Sequence, residues 1–184
     1  MNKSLFALAL AAALPFAAQA QEKDLSYNWV EGNYVNLDNS TDGWGLRGSY
    51  ELGTSGLYGL AGYSWLDADT PLGDVNVKAN EVGLGYHHSI ADQTDLICEV
   101  AYRNARGSGQ NIDGGRASVG VRSAMNKNFE GFVKANYYDL SDYSGDVSGT
   151  VGGQYKFNPM WGVTAEAEIG NGDQAYLLGV RASF

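Results

Sequence analysis

Ala175-Tyr176-Leu177-Leu178-Gly179-Val180-Arg181-Ala182-Ser183-Phe184 closes the chain. Successive side chains on an extended strand point to opposite sides, so Tyr176, Leu178, Val180, Ala182 and Phe184 share one face. Leu177, Gly179, Arg181 and Ser183 share the other. One face is wholly apolar and stops on an aromatic carboxy terminus, while the other carries a charge. Such a strand divides two environments of different polarity, and the rest of the sequence must identify them.

The amino terminus names the compartment. Lys3 lies in a short basic start, an apolar run extends from Leu5 to Phe16, and Ala18-Gln19-Ala20 forms a small-residue cleavage site. This is the pattern of a secretory signal peptide over residues 1–20. The run is short for a bilayer span, and no other stretch approaches the roughly 20 apolar residues a transmembrane helix needs. Any membrane span must be built from strands. Residues 21–184 then form one domain, enough for a single barrel. Cys98 is alone and closes no internal disulfide. It shares a strand face with Leu96, Val100 and Tyr102, which reads as a lipid-facing small hydrophobe.

Period-two alternation separated by turn residues predicts ten antiparallel strands, at 26–37, 43–52, 57–66, 79–88, 95–105, 115–125, 129–138, 147–157, 161–170 and 175–184. Each is close to the nine to eleven residues with which a tilted strand crosses the hydrocarbon layer. An eight-stranded barrel is the alternative. Gly53 to Gly56, Ser89 to Thr94, Asn126 to Asn128 and Asn158 to Met160 read as compact turns. Asp67 to Lys78, Arg106 to Gly114 and Asp139 to Asp146 read as longer loops. Short periplasmic turns and longer outer loops would place both termini in the periplasm. The facing of 26–37 and 57–66 stays open, because aromatic and aliphatic residues fall on both sides, and a one-residue shift inverts a face.

Alternation alone does not separate a membrane barrel from a soluble ligand-carrying one with an apolar interior. The charges do. The polar strand faces carry fourteen: Glu31, Arg47, Glu51, Glu81, Glu99, Arg103, Arg116, Arg122, Glu130, Lys134, Lys156, Glu166, Glu168 and Arg181. Seven are acidic and seven basic, and five of the bases are Arg, which suits bidentate pairing with carboxylates in a confined space. A solvated exterior has no reason to balance so closely, whereas a narrow lumen must pair its charges. The expectation is a lumen zipped by Glu–Arg/Lys pairs. Aromatic residues near strand ends on the apolar faces, Trp44, Tyr86, Tyr102, Tyr137, Trp161 and Tyr176, agree with interfacial girdles.

The remaining acids gather elsewhere. Asp38, Asp42, Asp67, Asp69, Asp74, Asp113, Asp139, Asp142, Asp146 and Asp173 map to the predicted outer connections, giving an acidic rim. Such a rim attracts divalent cations loosely and can meet the cation layer bridging lipopolysaccharide. Asp38-Asn39-Ser40-Thr41-Asp42-Gly43 begins like a calcium loop, but Ser49 stands where a bidentate Glu is needed, so no metal site is assigned. The acidic balance argues against nucleic acid. No cofactor motif is present, and the only histidines, His87 and His88, point to opposite faces and cannot serve one catalytic site. Fourteen charges and Phe132, Tyr138 and Leu177 should largely fill the lumen, while Gly48, Gly83, Gly85, Gly120, Gly152 and Gly153 leave room or permit curvature. The reading is a non-enzymatic surface barrel, with a narrow cation-preferring channel as the alternative and a lipid A or peptide hydrolase after that.

The carboxy-terminal strand, Tyr176, Leu178, Val180, Ala182 and Phe184, resembles the insertion signal of outer-membrane barrels, which the barrel-assembly machinery engages. Tyr27-Asn28-Trp29-Val30-Glu31-Gly32, Gly85-Tyr86-His87-His88-Ser89-Ile90, Thr94-Asp95-Leu96, Phe129-Glu130-Gly131, Gln154-Tyr155-Lys156-Phe157-Asn158 and Trp161-Gly162-Val163 together resemble the Ax-twenty-one family of small outer-membrane proteins. That family is similar in plan to the small OmpX and OmpA barrels. The resemblance implies export by the general secretory route, residence in outer-membrane lipid, release in vesicles and a part in biofilm and virulence behaviour. It implies no catalytic residues and no cofactor.

Overall fold

In the computed structural model, the structure describes residues 25–37, 41–70, 73–107, 109–140, 143–170 and 174–184. The predicted signal peptide and Asp38, Asp142 and Asp173 lie outside them. Ten strands form: β1 (Trp29–Leu37), β2 (Thr41–Glu51), β3 (Leu57–Thr70), β4 (Gly73–Ala91), β5 (Thr94–Gly107), β6 (Gln110–Asn126), β7 (Phe129–Leu140), β8 (Tyr143–Lys156), β9 (Trp161–Ile169) and β10 (Gln174–Ser183). Each pairs antiparallel with its sequence neighbour, and β10 pairs with β1 from Trp29↔Ser183 to Leu37↔Ala175, closing the barrel. Closure removes both sheet edges, which a membrane span requires because lipid offers no hydrogen bonds to unpaired backbone. The count is ten, not eight.

Compact turns join strands at the end carrying the termini. Gly53 and Gly56 take φ of 83° and 82° between β2 and β3, a conformation that favours glycine. Asn126 Oδ1 accepts from the amides of Asn128 and Phe129, each at 2.9 Å, and Asn158 Oδ1 accepts from those of Met160 and Trp161 at 2.9 and 2.8 Å. These side chains fold the turn by replacing backbone acceptors.

At the opposite end the structure corrects the sequence reading. Asp67 to Lys78, Arg106 to Gly114 and Asp139 to Asp146 contain paired strand ends rather than long loops. Pairing runs through Asp67↔Asn76 to Thr70↔Gly73, Arg106↔Asn111 to Gly107↔Gln110, and Leu140↔Tyr143. β4 consequently reaches 19 residues and β6 reaches 17, whereas β1 and β9 have 9. The barrel wall is therefore taller along its middle strands.

The outward apolar band is continuous and includes Trp44 at 66 % exposure, Val100, Val119, Val133, Val151 and Leu178. Trp44, Tyr86, Tyr102, Tyr137, Trp161 and Tyr176 all face outward and are exposed. Cys98 is exposed on the same outer wall. The two ambiguous strands resolve: Trp29, Glu31 and Val35 of β1 and Tyr58 and Leu60 of β3 face the lumen, while Tyr34, Tyr63 and Trp65 face out.

Candidate functional site

The lumen is filled in three storeys. The middle storey is ionic. Glu31, with no exposed surface, accepts from Arg47 Nε at 2.6 Å and from Arg181 Nε and Nη2 at 2.9 and 2.7 Å. Arg47 reaches across the lumen from β2 to Glu166 on β9 at 2.6 Å. A second network runs Arg103–Glu81–Arg116–Glu99–Lys134, with contacts of 2.9, 2.6, 2.9 and 3.2 Å. Ser118 Oγ also accepts from Arg116. In a third, Glu130 takes Arg122 at 2.5 Å and Lys156 at 3.0 Å, and Arg181 approaches it at 3.8 Å. All seven Arg and Lys of the predicted set are thus ion-paired inside. Glu168 instead accepts from Tyr138 and Ser148 hydroxyls at 2.5 and 2.6 Å.

Aromatic planes add to the cations. The Arg181 guanidinium lies 4.0 Å from the Trp29 ring centroid, Arg122 lies 4.8 Å from that of Tyr27, and Arg103 lies 5.2 Å from that of Tyr138. Stacking of this kind suits the flat, weakly hydrated guanidinium more than an ammonium.

At the end carrying the termini, the lumen is plugged by rings. Tyr27 stacks on His87 with centroids 3.9 Å apart and donates to Asp95 Oδ2 at 3.1 Å. His87 lies between Glu51 at 3.2 Å and Asp95 at 3.3 Å, and Ser89 Oγ donates to Asp95 Oδ1 at 2.8 Å. Tyr58, Leu60, Ile97 and Ala101 complete the cluster. Asp95, at the start of the predicted strand 95–105 but outside the fourteen predicted lumen charges, is fully buried and inward. Its parity with Ile97 and Glu99 was the available signal. His88 is exposed on the outer wall, as the alternation required. Ser89 and His87 thus meet at the same carboxylate, Ser89 at Oδ1 and His87 at Oδ2.

At the other end β1, β3, β4 and β10 fill their side of the lumen with an apolar cork of Val35, Leu37, Leu66, Val77, Ala175 and Leu177, with Val75 and Ala105 against it. Here the facing rule inverts. Asn76, Lys78 and Asn80 point out while Val75, Val77 and Ala79 point in, as in a water-soluble barrel. Sequence reasoning took that inversion for a loop because it assumed one polarity along each strand.

Two inner glycines do not leave the room expected of them. A Cβ on Gly85 would stand 2.1 Å from the Tyr58 ring, and one on Gly152 would stand 2.5 Å from the Phe132 ring. Each ring lies flat over the glycine directly opposite it on the neighbouring strand. Among the described residues, a lumen cavity of about 80 Å³ is lined by Trp29, Arg47, Glu99, Arg116, Lys134 and Glu166 among others. That volume holds a few waters.

No family profile and no curated protein matches the chain. Solved structures do match. The KdgM porin in complex with disordered oligogalacturonate is 15 % identical, with a TM-score of 0.56 over 85 % of this chain and 99 % of that one. The NanC porin is 14 % identical, with a TM-score of 0.51 over 85 % and 100 %. The translocator domain of the autotransporter NalP from Neisseria meningitidis is 12 % identical, with a TM-score of 0.51 over 89 % and 90 %. The chain has the closed, ten-stranded antiparallel fold of an outer-membrane β-barrel.

Proposed function

We propose that this protein resides in the outer membrane as a closed barrel that acts through its outer wall and rim, not by passing solutes through its lumen. The observation that carries this reading is the lumen cavity of roughly 80 Å³ left among the paired charges. On this reading a sugar chain such as the oligogalacturonate of the KdgM complex does not pass through it. The lumen ion pairs then serve to hold the wall in one register, and the acidic residues Asp42, Asp67, Asp113, Asp139 and Asp146 supply contacts to envelope partners, loose divalent cations included. Membership of the Ax-twenty-one family, with its vesicle, biofilm and virulence associations, belongs to the same proposal, as does recognition of β10 by the barrel-assembly machinery. The arrangement around His87 supports a structural and not a catalytic role.

The test is conductance. Protein that shows heat-modifiable migration on a detergent gel, the mark of a folded barrel, is reconstituted in planar bilayers beside the NanC porin. No unitary steps are expected from the wild-type chain. Reproducible single-channel steps would overturn the closed reading and make the Glu–Arg networks the walls of a conducting path.

A further inference from the structure

Lys78 and Arg106 face each other directly across β4 and β5 on the outer wall, and both are exposed. Directly opposed side chains have Cβ atoms about 5 Å apart, and like charges there repel. Among the described residues neither cation takes part in an ion pair, whereas all seven lumen cations do. Arg106 is steadied by a neutral partner, donating from Nε to Asn111 Oδ1 at 2.8 Å. Among the described residues the pair is thus preformed outside any ion pair, with Asp113 and Arg106 both close to Tyr102.

Its height on the wall is fixed by its neighbours. Trp65, 48 % exposed, stands directly opposite Lys78 on β3, and Tyr102, 52 % exposed, lies four residues from Arg106 on β5. Interfacial Trp and Tyr sit at headgroup level. Beyond the Asn80–Asn104 pair on the apolar side, Val82 and Tyr102 border a shallow open depression in the wall. Gly115 and Ala117 of β6 line it, directly opposite Tyr102 of β5 and Tyr137 of β7 respectively. Its lining is mostly apolar, with Asp139 at one edge, which suits an acyl chain lying along the wall.

From this juxtaposition we propose that Lys78 and Arg106 bind a phosphate of an outer-leaflet glycolipid of the lipid A type, whose acyl chain occupies the depression over Gly115. Asp67, Asp113 and Asp139 flank the site on the same wall. They accept the divalent cations that bridge adjacent phosphates. The inference rests on the reading that the end opposite the termini faces outward; it does not depend on whether the lumen conducts.

The experiment measures bisphosphorylated lipid A retained by folded protein in detergent, by native mass spectrometry, with dephosphorylated lipid A and inorganic phosphate as further arms. Wild type should retain the bisphosphorylated lipid and not the dephosphorylated one. Lys78→Ala/Arg106→Ala should weaken retention about thirtyfold, from the attraction of two interfacial cations, while Lys78→Arg should keep it. Gly115→Leu fills the depression without touching the charges and should weaken retention severalfold. Heat-modifiable migration confirms that each variant is folded. Equal retention by wild type and the double variant overturns the site. Displacement by millimolar inorganic phosphate with Gly115→Leu unchanged would overturn the lipid and leave a bare anion site. Neither outcome bears on conductance, so the two readings fail separately.

Discussion

Glu31→Gln removes the charge at the centre of the first lumen network. The carboxylate is fully buried and accepts from Arg47 at 2.6 Å, from Arg181 at 2.7 and 2.9 Å, and from Asn33 Nδ2 at 3.1 Å. Glutamine keeps the shape but offers a single acceptor and turns an NH2 toward a guanidinium. Arg47 keeps Glu166 at 2.6 Å, whereas Arg181 is left with Glu130 at 3.8 Å. Removing one partner of a buried pair costs about 3–5 kcal/mol, because the other charge stays in low dielectric without compensation. The residual Arg47–Glu166 contact places the expected loss near about 3 kcal/mol. The assay is urea unfolding of the protein in detergent or lipid vesicles, followed by the loss of the fast-migrating folded band. Glu31→Gln/Arg181→Gln should be less unstable than the sum of the single variants, by roughly 0.5–3 kcal/mol. A stability of Glu31→Gln within about 1 kcal/mol of wild type would refute the claim that these pairs hold the lumen together.

Other outcomes follow from the lumen and the wall. Gly85→Val should drive Tyr58 off its flat position and destabilise by about 1–3 kcal/mol, the usual cost of overpacking; an unchanged unfolding midpoint would mean that the ring has other room. Leu177→Ala, at 2 % exposure within the cork, should cost about 2–5 kcal/mol, measured by the same titration, and a loss under about 1 kcal/mol would show the cork to be loosely packed. A spin label on Cys98, exposed on the outer wall, should relax with lipid-soluble oxygen and not with a water-soluble nickel chelate. The reverse would place that wall in water and invert the inside and outside of the barrel.

The alternation of Ala175–Phe184, the turn residues and the balance of seven acids against seven bases made a charge-lined barrel legible without coordinates, because strand parity is local and burying a lone charge is costly. Parity also split His87 from His88. What sequence could not decide depends on where the bilayer ends along each strand. Beyond the hydrocarbon, outward residues meet water, so the polar and apolar faces exchange, and Val75-Asn76-Val77-Lys78 reads as a loop although it is paired strand. Partner choice inside the lumen is likewise tertiary. Arg47 meets Glu166 and Arg181 approaches Glu130 across the barrel, separations in sequence that only closure brings within reach. Gly85 and Gly152 reversed their expected effect for the same reason, since whether a missing side chain leaves a void is set by the ring lying on the neighbouring strand.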